Sequence, residues 1–185
     1  MKLIDEIMAY QPLDELEEID KKVMLDTLKN NPCCLRRDSY LGHFTASSMI
    51  FNSTLDKVCM AYHLIYDSYA WSGGHMDGEE DGLKVALKEA YEETGLRCRP
   101  LCNEVASIEI LPVAAHKKRG KMVNHHLHLN VSYLLIADEN QPLIIKPDEN
   151  KAVDWFFIDE LERHVKEKDM LPIYRKLIER ALSKF

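Results

Sequence analysis

Three glutamates stand close together in one short segment: Glu89, Glu92 and Glu93. Residues 82–94 carry the pattern of a helix. At about 100° per residue, the three carboxylates fall within one arc of its surface. Leu83, Ala86, Leu87, Ala90 and Thr94 gather on the other side. Glu89 and Glu93 are i,i+4 neighbours and Glu89 and Glu92 are i,i+3, so their charges repel unless something neutralises them. Clustered carboxylate oxygens suit a hard divalent cation such as Mg²⁺. The helix alone leaves a solvated acidic face open as the alternative. The loop ahead of it adds Gly73 and Gly74, which let the backbone turn tightly and point its groups into a site. It also adds a fourth carboxylate, Glu80.

The elements that must hold these groups read as follows. Gly95 suits a left-handed cap that ends the helix. Residues 43–52 and 57–66 predict two strands joined as a hairpin. Residues 104–112, 126–137 and 152–157 predict further strands, and helices are expected near 158–166 and 172–183, with Pro172 in a first turn. Along 126–137, Leu127, Leu129, Val131, Tyr133 and Leu135 point one way and His126, His128, Asn130 and Ser132 the other. Residues 13–29 predict an amphipathic helix with Leu13, Leu16, Ile19, Val23 and Leu28 as its apolar positions, stopped at Asn30 to Pro32. These five cover the core or form a dimer contact. The domain reading is an N-terminal helical extension, 1–35, followed by a main domain, 36–185.

Spacing then narrows the chemistry. Gly74, five residues, Glu80, seven residues and Lys88-Glu89-Ala90-Tyr91-Glu92-Glu93-Thr94-Gly95-Leu96 resembles the box of the Nudix (MutT-like) hydrolase family. That box reads G-x5-E-x7-R-E-U-x-E-E-x-G-U, where U is bulky and apolar. Both glycines and all four glutamates match. Lys88 stands where the family has Arg, and Ala90 is small for U. The resemblance covers roughly residues 38–162, including Gly42 to Ser47 and the strand at Trp155–Phe156, and singles out no subfamily.

The resemblance implies an α/β fold, an α/β/α sandwich around a mixed β-sheet, with the N-terminal helix as an addition. It implies hydrolysis of a diphosphate linkage in a nucleoside diphosphate joined to another moiety. Glu89 and Glu93 would hold Mg²⁺ or Mn²⁺, Glu92 a second ion or ordered water, and Gly73 a backbone carbonyl ligand. Gly74, Glu80, Lys88 and Gly95 would support the box. Lys keeps the charge of Arg but not its bidentate fork. Among the catalytic candidates Glu89, Glu92 and Glu149, the proton would pass to the box carboxylate Glu89 or to Glu149 on a distal loop. A catalytically silent Nudix domain that senses a nucleotide or metabolite is the alternative. A homodimer is expected from the same resemblance.

Other polar groups are open to two readings. His126 and His128 share a strand face, and His75 lies in the box loop. All three are candidates for substrate contact. As a metal site, the strand pair lacks a third ligand. Lys117, Lys118, Arg119 and Lys121 form a basic loop that grips phosphates or is merely solvated.

The bulk properties exclude several classes. The net charge of −7 is not the footprint of a nucleic-acid binder. No apolar run approaches the roughly 20 residues that span a bilayer. Five cysteines, odd in number and without a CxxC pair, read as free thiols in a reducing compartment. A cytoplasmic protein acting on a small molecule is the expectation.

Overall fold

The computed structural model describes residues 2–118 and 120–183. Two helices come first, α1 (Leu3–Ala9) and α2 (Glu15–Asn30), then the strands β1 (Gly42–Phe51), β2 (Lys57–His63), β3 (Ser68–Ala70) and β4 (Ser72–His75). The box helix α3 (Gly82–Thr94) follows, then β5 (Arg99–Pro100), β6 (Ser107–Val113), β7 (His116–Lys118), β8 (Lys121–Val123), β9 (His126–Ile136) and β10 (Asn150–Phe157). The chain closes with α4 (Leu161–His164) and α5 (Leu171–Leu182).

The main sheet runs β10-β2-β1-β9-β5, with β3 on β2, β4 on β1 and β6 on β9. β1 and β9 are parallel from Gly42–Leu127 to Phe51–Ile136, whereas the other pairs are antiparallel, so the sheet is mixed. Successive side chains of a strand point to opposite faces. Phe44, Ala46 and Ile50 of β1 and Leu129, Val131 and Tyr133 of β9 therefore pack in one core with Val85, Ala86 and Ala90 of α3. Met49 and Phe51 of β1 and Leu134 and Ile136 of β9 pack in a second core with Tyr174, Leu177 and Ala181 of α5. The result is the α/β/α sandwich that the box implied.

Several elements differ from the sequence reading. The helix α1 was not anticipated, and Ser72–His75, read as loop, is a strand paired with β1. The strand expected over 57–66 ends at His63, and the helix expected over 158–166 shortens to α4. The basic loop is largely the hairpin β7–β8, and Arg119 lies outside the described residues.

The largest correction concerns α2. It forms where expected, capped by the Asp14 side chain on Glu17 N–H, but its apolar stripe does not cover the core. Leu13, Leu16, Ile19 and Val23 are between 43% and 66% exposed, and only Leu28 of the five packs against the interior. Glu17, Asp20 and Met24 point inward instead. The cause is a set of polar anchors on other elements. The Glu17 carboxylate accepts from Lys176 Nζ (2.6 Å), Arg180 Nη2 (3.2 Å), Tyr10 OH (2.7 Å) and Leu13 N–H (2.8 Å). Asp20 accepts from Ile110 N–H at 3.1 Å. A buried carboxylate with this many donors is satisfied, and it fixes which face of the helix turns in.

The N-terminal helices share the first core. Leu3, Ile7, Tyr10 and Met24 belong to the cluster that holds α3 against the sheet, and the Tyr133 hydroxyl donates to the buried Glu6. No helix among the described residues is long and apolar enough to cross a membrane.

Candidate active site

The glutamates are placed by the way α3 begins and ends. The Asp81 side chain accepts from Lys84 N–H and fixes the first turn. Gly95 adopts φ 76° and returns its N–H to the Tyr91 carbonyl at 2.9 Å, which stops the helix. A side chain at Gly95 would also lie 2.8 Å from Ile144. With Val85, Ala86 and Ala90 committed to the core, Glu89 and Glu93 are carried inward and buried, while Glu92 stays exposed.

Glycine at 74 is a requirement of close approach. A Cβ there would sit 2.4 Å from Cδ of Glu89, and one at Gly73 would sit 2.4 Å from Ser47 Oγ. Gly74→Ala therefore pushes the Glu89 carboxylate out of place. The expected result is a loss in kcat/KM of about 10²-fold, the scale of a 1 Å misplacement at a reacting centre, with the fold retained by circular dichroism. Unchanged kinetics in a folded Gly74→Ala protein would show that Glu89 does not need this contact.

The electrostatics of the site follow from burial and crowding. Burial is the largest influence on Glu93, and the Glu89 and Glu149 charges add to it. Lys146 and a hydrogen bond from the Gly73 backbone oppose them, and the balance pushes the Glu93 carboxyl up to about 8. Lys88 Nζ lies 3.0 Å from Glu89 Oε1 and 3.3 Å from Glu92 Oε1. A lysine in the place of the family arginine thus spans two box carboxylates with a single nitrogen.

Lys146 was missed in the sequence. Its Nζ lies 3.4 Å from Glu92 Oε2 and 3.0 Å from Glu149 Oε2, which ties the distal loop to the box. Burial lowers its pKa, but Glu149, Glu89 and Glu92 more than offset this and raise it overall. Asn150, also missed, anchors the same loop. Its Nδ2 donates to the Glu93 carbonyl and its Oδ1 accepts from Lys146 N–H, each at 3.0 Å. The i,i+3 spacing of Lys146 and Glu149 was the available signal for the first of these. Arg37, held by Asp77 at 2.8 and 2.7 Å, feels the charges of Glu89 and Glu149 as well. Nothing in its sequence context marked it.

Glu80 is exposed, and its carboxylate pairs with Lys2 at 3.1 Å. The backbone carbonyl of Glu80 accepts from Leu3 N–H at 2.7 Å. In this arrangement Glu80 ties the box loop to α1.

The structure brings His75, His126 and His128 together around a fourth histidine rather than around the box carboxylates. They surround His43, with ring centroids 4.9, 4.9 and 5.2 Å from it. His43 alternates along β1 with Phe44, which packs towards α3, so the histidines occupy the opposite sheet face. Trp71 packs edge-on against Tyr174 at 5.4 Å in the second core.

Residues 45–180 match the family model for the NUDIX domain. The fold is similar to that of a NUDIX-family hydrolase from Clostridium perfringens, with 19% identity over 74% of this chain and 96% of that one and a TM-score of 0.54. It is also similar to a C. elegans Ap4A hydrolase solved as a binary complex, with 15% identity over 77% and 98% of the two chains and a TM-score of 0.51. The chain belongs to the Nudix family. It is a Nudix pyrophosphohydrolase, with every box glutamate present.

Proposed function

We propose that this protein hydrolyses a diphosphate linkage in a nucleoside diphosphate joined to another moiety, and that it does so with a bound Mg²⁺ or Mn²⁺. The observation that carries the reading is the buried pair Glu89 and Glu93, set against the Gly73–Gly74 backbone. Two like charges so placed are unfavourable in the empty protein and are relieved by a cation. All the donors are oxygen, which suits a hard ion. The C. elegans relative of known structure is an Ap4A hydrolase, which supports a nucleotide substrate.

In this reading Glu89 and Glu93 hold the ion with the Gly73 carbonyl, and Glu92 holds a second ion or ordered water. A divalent ion supplies charge neutralisation at the phosphate oxygens and a more acidic water. Lys88 keeps Glu89 and Glu92 oriented. Glu149, drawn to the box by Lys146, accepts the proton of the attacking water. Arg37 and Lys146 present positive charge to the phosphates.

The test is a panel of nucleoside diphosphate derivatives, each incubated with Mg²⁺, with Mn²⁺ and with EDTA. Phosphate-containing product appears with either ion and stops with EDTA. Metal bound by calorimetry but no turnover on any compound would overturn the nucleoside diphosphate reading, in favour of a diphosphate substrate outside the panel or of a sensor.

A further inference from the structure

We infer that His43, His75 and His128, with His126 alongside, form a second metal centre, for a divalent transition ion that prefers imidazole nitrogen. It lies on the sheet face opposite the box helix and is independent of the proposed hydrolytic reading.

The sheet assembles the cluster from three strands. β1 supplies His43, its parallel neighbour β9 supplies His126 and His128, and its antiparallel neighbour β4 supplies His75. His43 and His128 are direct register partners, and His75 is the partner of Thr45, two residues along β1. Two imidazoles on β9 lack a third ligand by themselves, and β1 provides it.

One ligand atom from each of His43, His75 and His128 lies within 4.8 Å of the others. Tetrahedral zinc with bonds of about 2.0–2.1 Å separates its ligand atoms by roughly 3.3–3.4 Å. Side-chain rotations that shorten the longest separation by about 1.4–1.5 Å close the difference. His126 Nε2 and His128 Nε2 are already 3.2 Å apart.

His43 gives the direct sign of a ligand. It is 5% exposed, and among the described residues its Nε2 has no hydrogen-bond partner. An orphaned polar atom in the interior is costly. Its Nδ1 faces the Ser39 carbonyl at 3.3 Å. His126 Nδ1 likewise faces the Asn124 carbonyl at 2.9 Å. A backbone carbonyl on Nδ1 selects the tautomer with its lone pair on Nε2, the usual outer support of a metal-binding histidine. That lone pair is unmatched at His43 and faces His128 Nε2 at His126. His75 and His128 are half-buried and so in part open to solvent. An ion has a route in.

The placement gives the centre a task. Gly74 of β4 lies against Glu89 on one sheet face, and His75, the next residue, joins the histidines on the other. An ion there pins β4 to β1 and β9, and so steadies the backbone on which the box carboxylates rest.

The experiment uses full-length protein carrying Glu89→Gln and Glu93→Gln, which removes the carboxylate site. Equilibrium dialysis with Zn²⁺ is expected to give one bound equivalent. Co²⁺ is expected to give the intense visible absorption of a tetrahedral site, whereas an octahedral site of waters and carboxylates absorbs only weakly. His75→Asn and His128→Asn, checked for folding by circular dichroism, should each weaken Zn²⁺ binding by more than the roughly 10–100-fold lost with an outer supporting group. X-ray absorption of the zinc-loaded protein should show imidazole shells, a readout that needs no histidine variant. No bound zinc, an all-oxygen shell, or affinity unchanged in both folded histidine variants would overturn the assignment.

Discussion

Glu93→Gln lowers kcat/KM for the metal-dependent reaction by roughly 10³-fold and raises the melting temperature of the metal-free protein. Gln keeps the shape of Glu but removes half the charge that the buried carboxylate pair offers an ion. The charge stabilisation a bound ion gives a transition state is several kcal/mol, and each 1.36 kcal/mol is a factor of ten. The stability effect has the opposite sign because Glu93 is buried and crowded by Glu89 and Glu149. With its carboxyl pushed up to about 8, Glu93 in the metal-free protein holds a proton near pH 7 that the unfolded chain gives up above about 4.3, and Gln removes that cost, so the gain in stability grows from about pH 4.3 up to about pH 8. Steady-state kinetics with Mg²⁺ and thermal melts in EDTA check both halves. A variant that is slower and also less stable in EDTA would mean that Glu93 is a structural residue rather than a strained ligand.

Glu17→Ala destabilises the fold by about 3–5 kcal/mol, the cost of breaking a buried ion pair from one side. At 2–4 °C per kcal/mol for a chain of this size, the melting temperature falls by roughly 6–20 °C. The variant removes the carboxylate that pairs with Arg180 and one of the two that pair with Lys176, which keeps Glu109 at 2.9 Å. Burial pushes the Glu17 pKa up, but Lys176, the Leu13 N–H and Tyr10 more than offset this and lower it. A lowered folded-state pKa means that this stabilisation is present above the ordinary glutamate value of about 4.3 and is lost as pH falls through the folded value. The melting curves of wild type and variant therefore converge in acid. A gap that stays constant from pH 7 into strong acid would assign the loss to packing instead.

The parts legible in the sequence were those whose information is local. The box could be read because its glycines and glutamates are fixed by one strand, one turn and one helix. Gly74 against Glu89 and Gly95 at the helix end are short-range necessities. The strand face bearing His126 and His128 was legible by alternation, but His43 was not, because its role depends on β1 lying parallel to β9. Which of the two roles expected of the α2 stripe applied, core cover or a dimer contact, was not legible for the same reason, and core cover is the one overturned. Leu13, Leu16, Ile19 and Val23 outnumber the acids as a stripe, yet the choice was made by Lys176 and Arg180, far along the chain. Lys146 and Arg37 escaped notice because single cations in loops carry no periodicity.

That long-range bond has a consequence for the order in which the protein is made. Glu17 is tied to residues 159 and 163 positions later, and Leu3 and Tyr133, 130 positions apart, contribute to one core. The helices α1 and α2, made before the rest, therefore wait, with Leu3, Ile7 and Met24 uncovered and Glu17 unpaired, until the sheet and then almost the last turn of α5 have been synthesised. Contacts at such separation are slow to form because the loop must close before it is rewarded. A nascent chain in which α5 is not yet made presents an unanchored α2 to any chaperone or protease nearby.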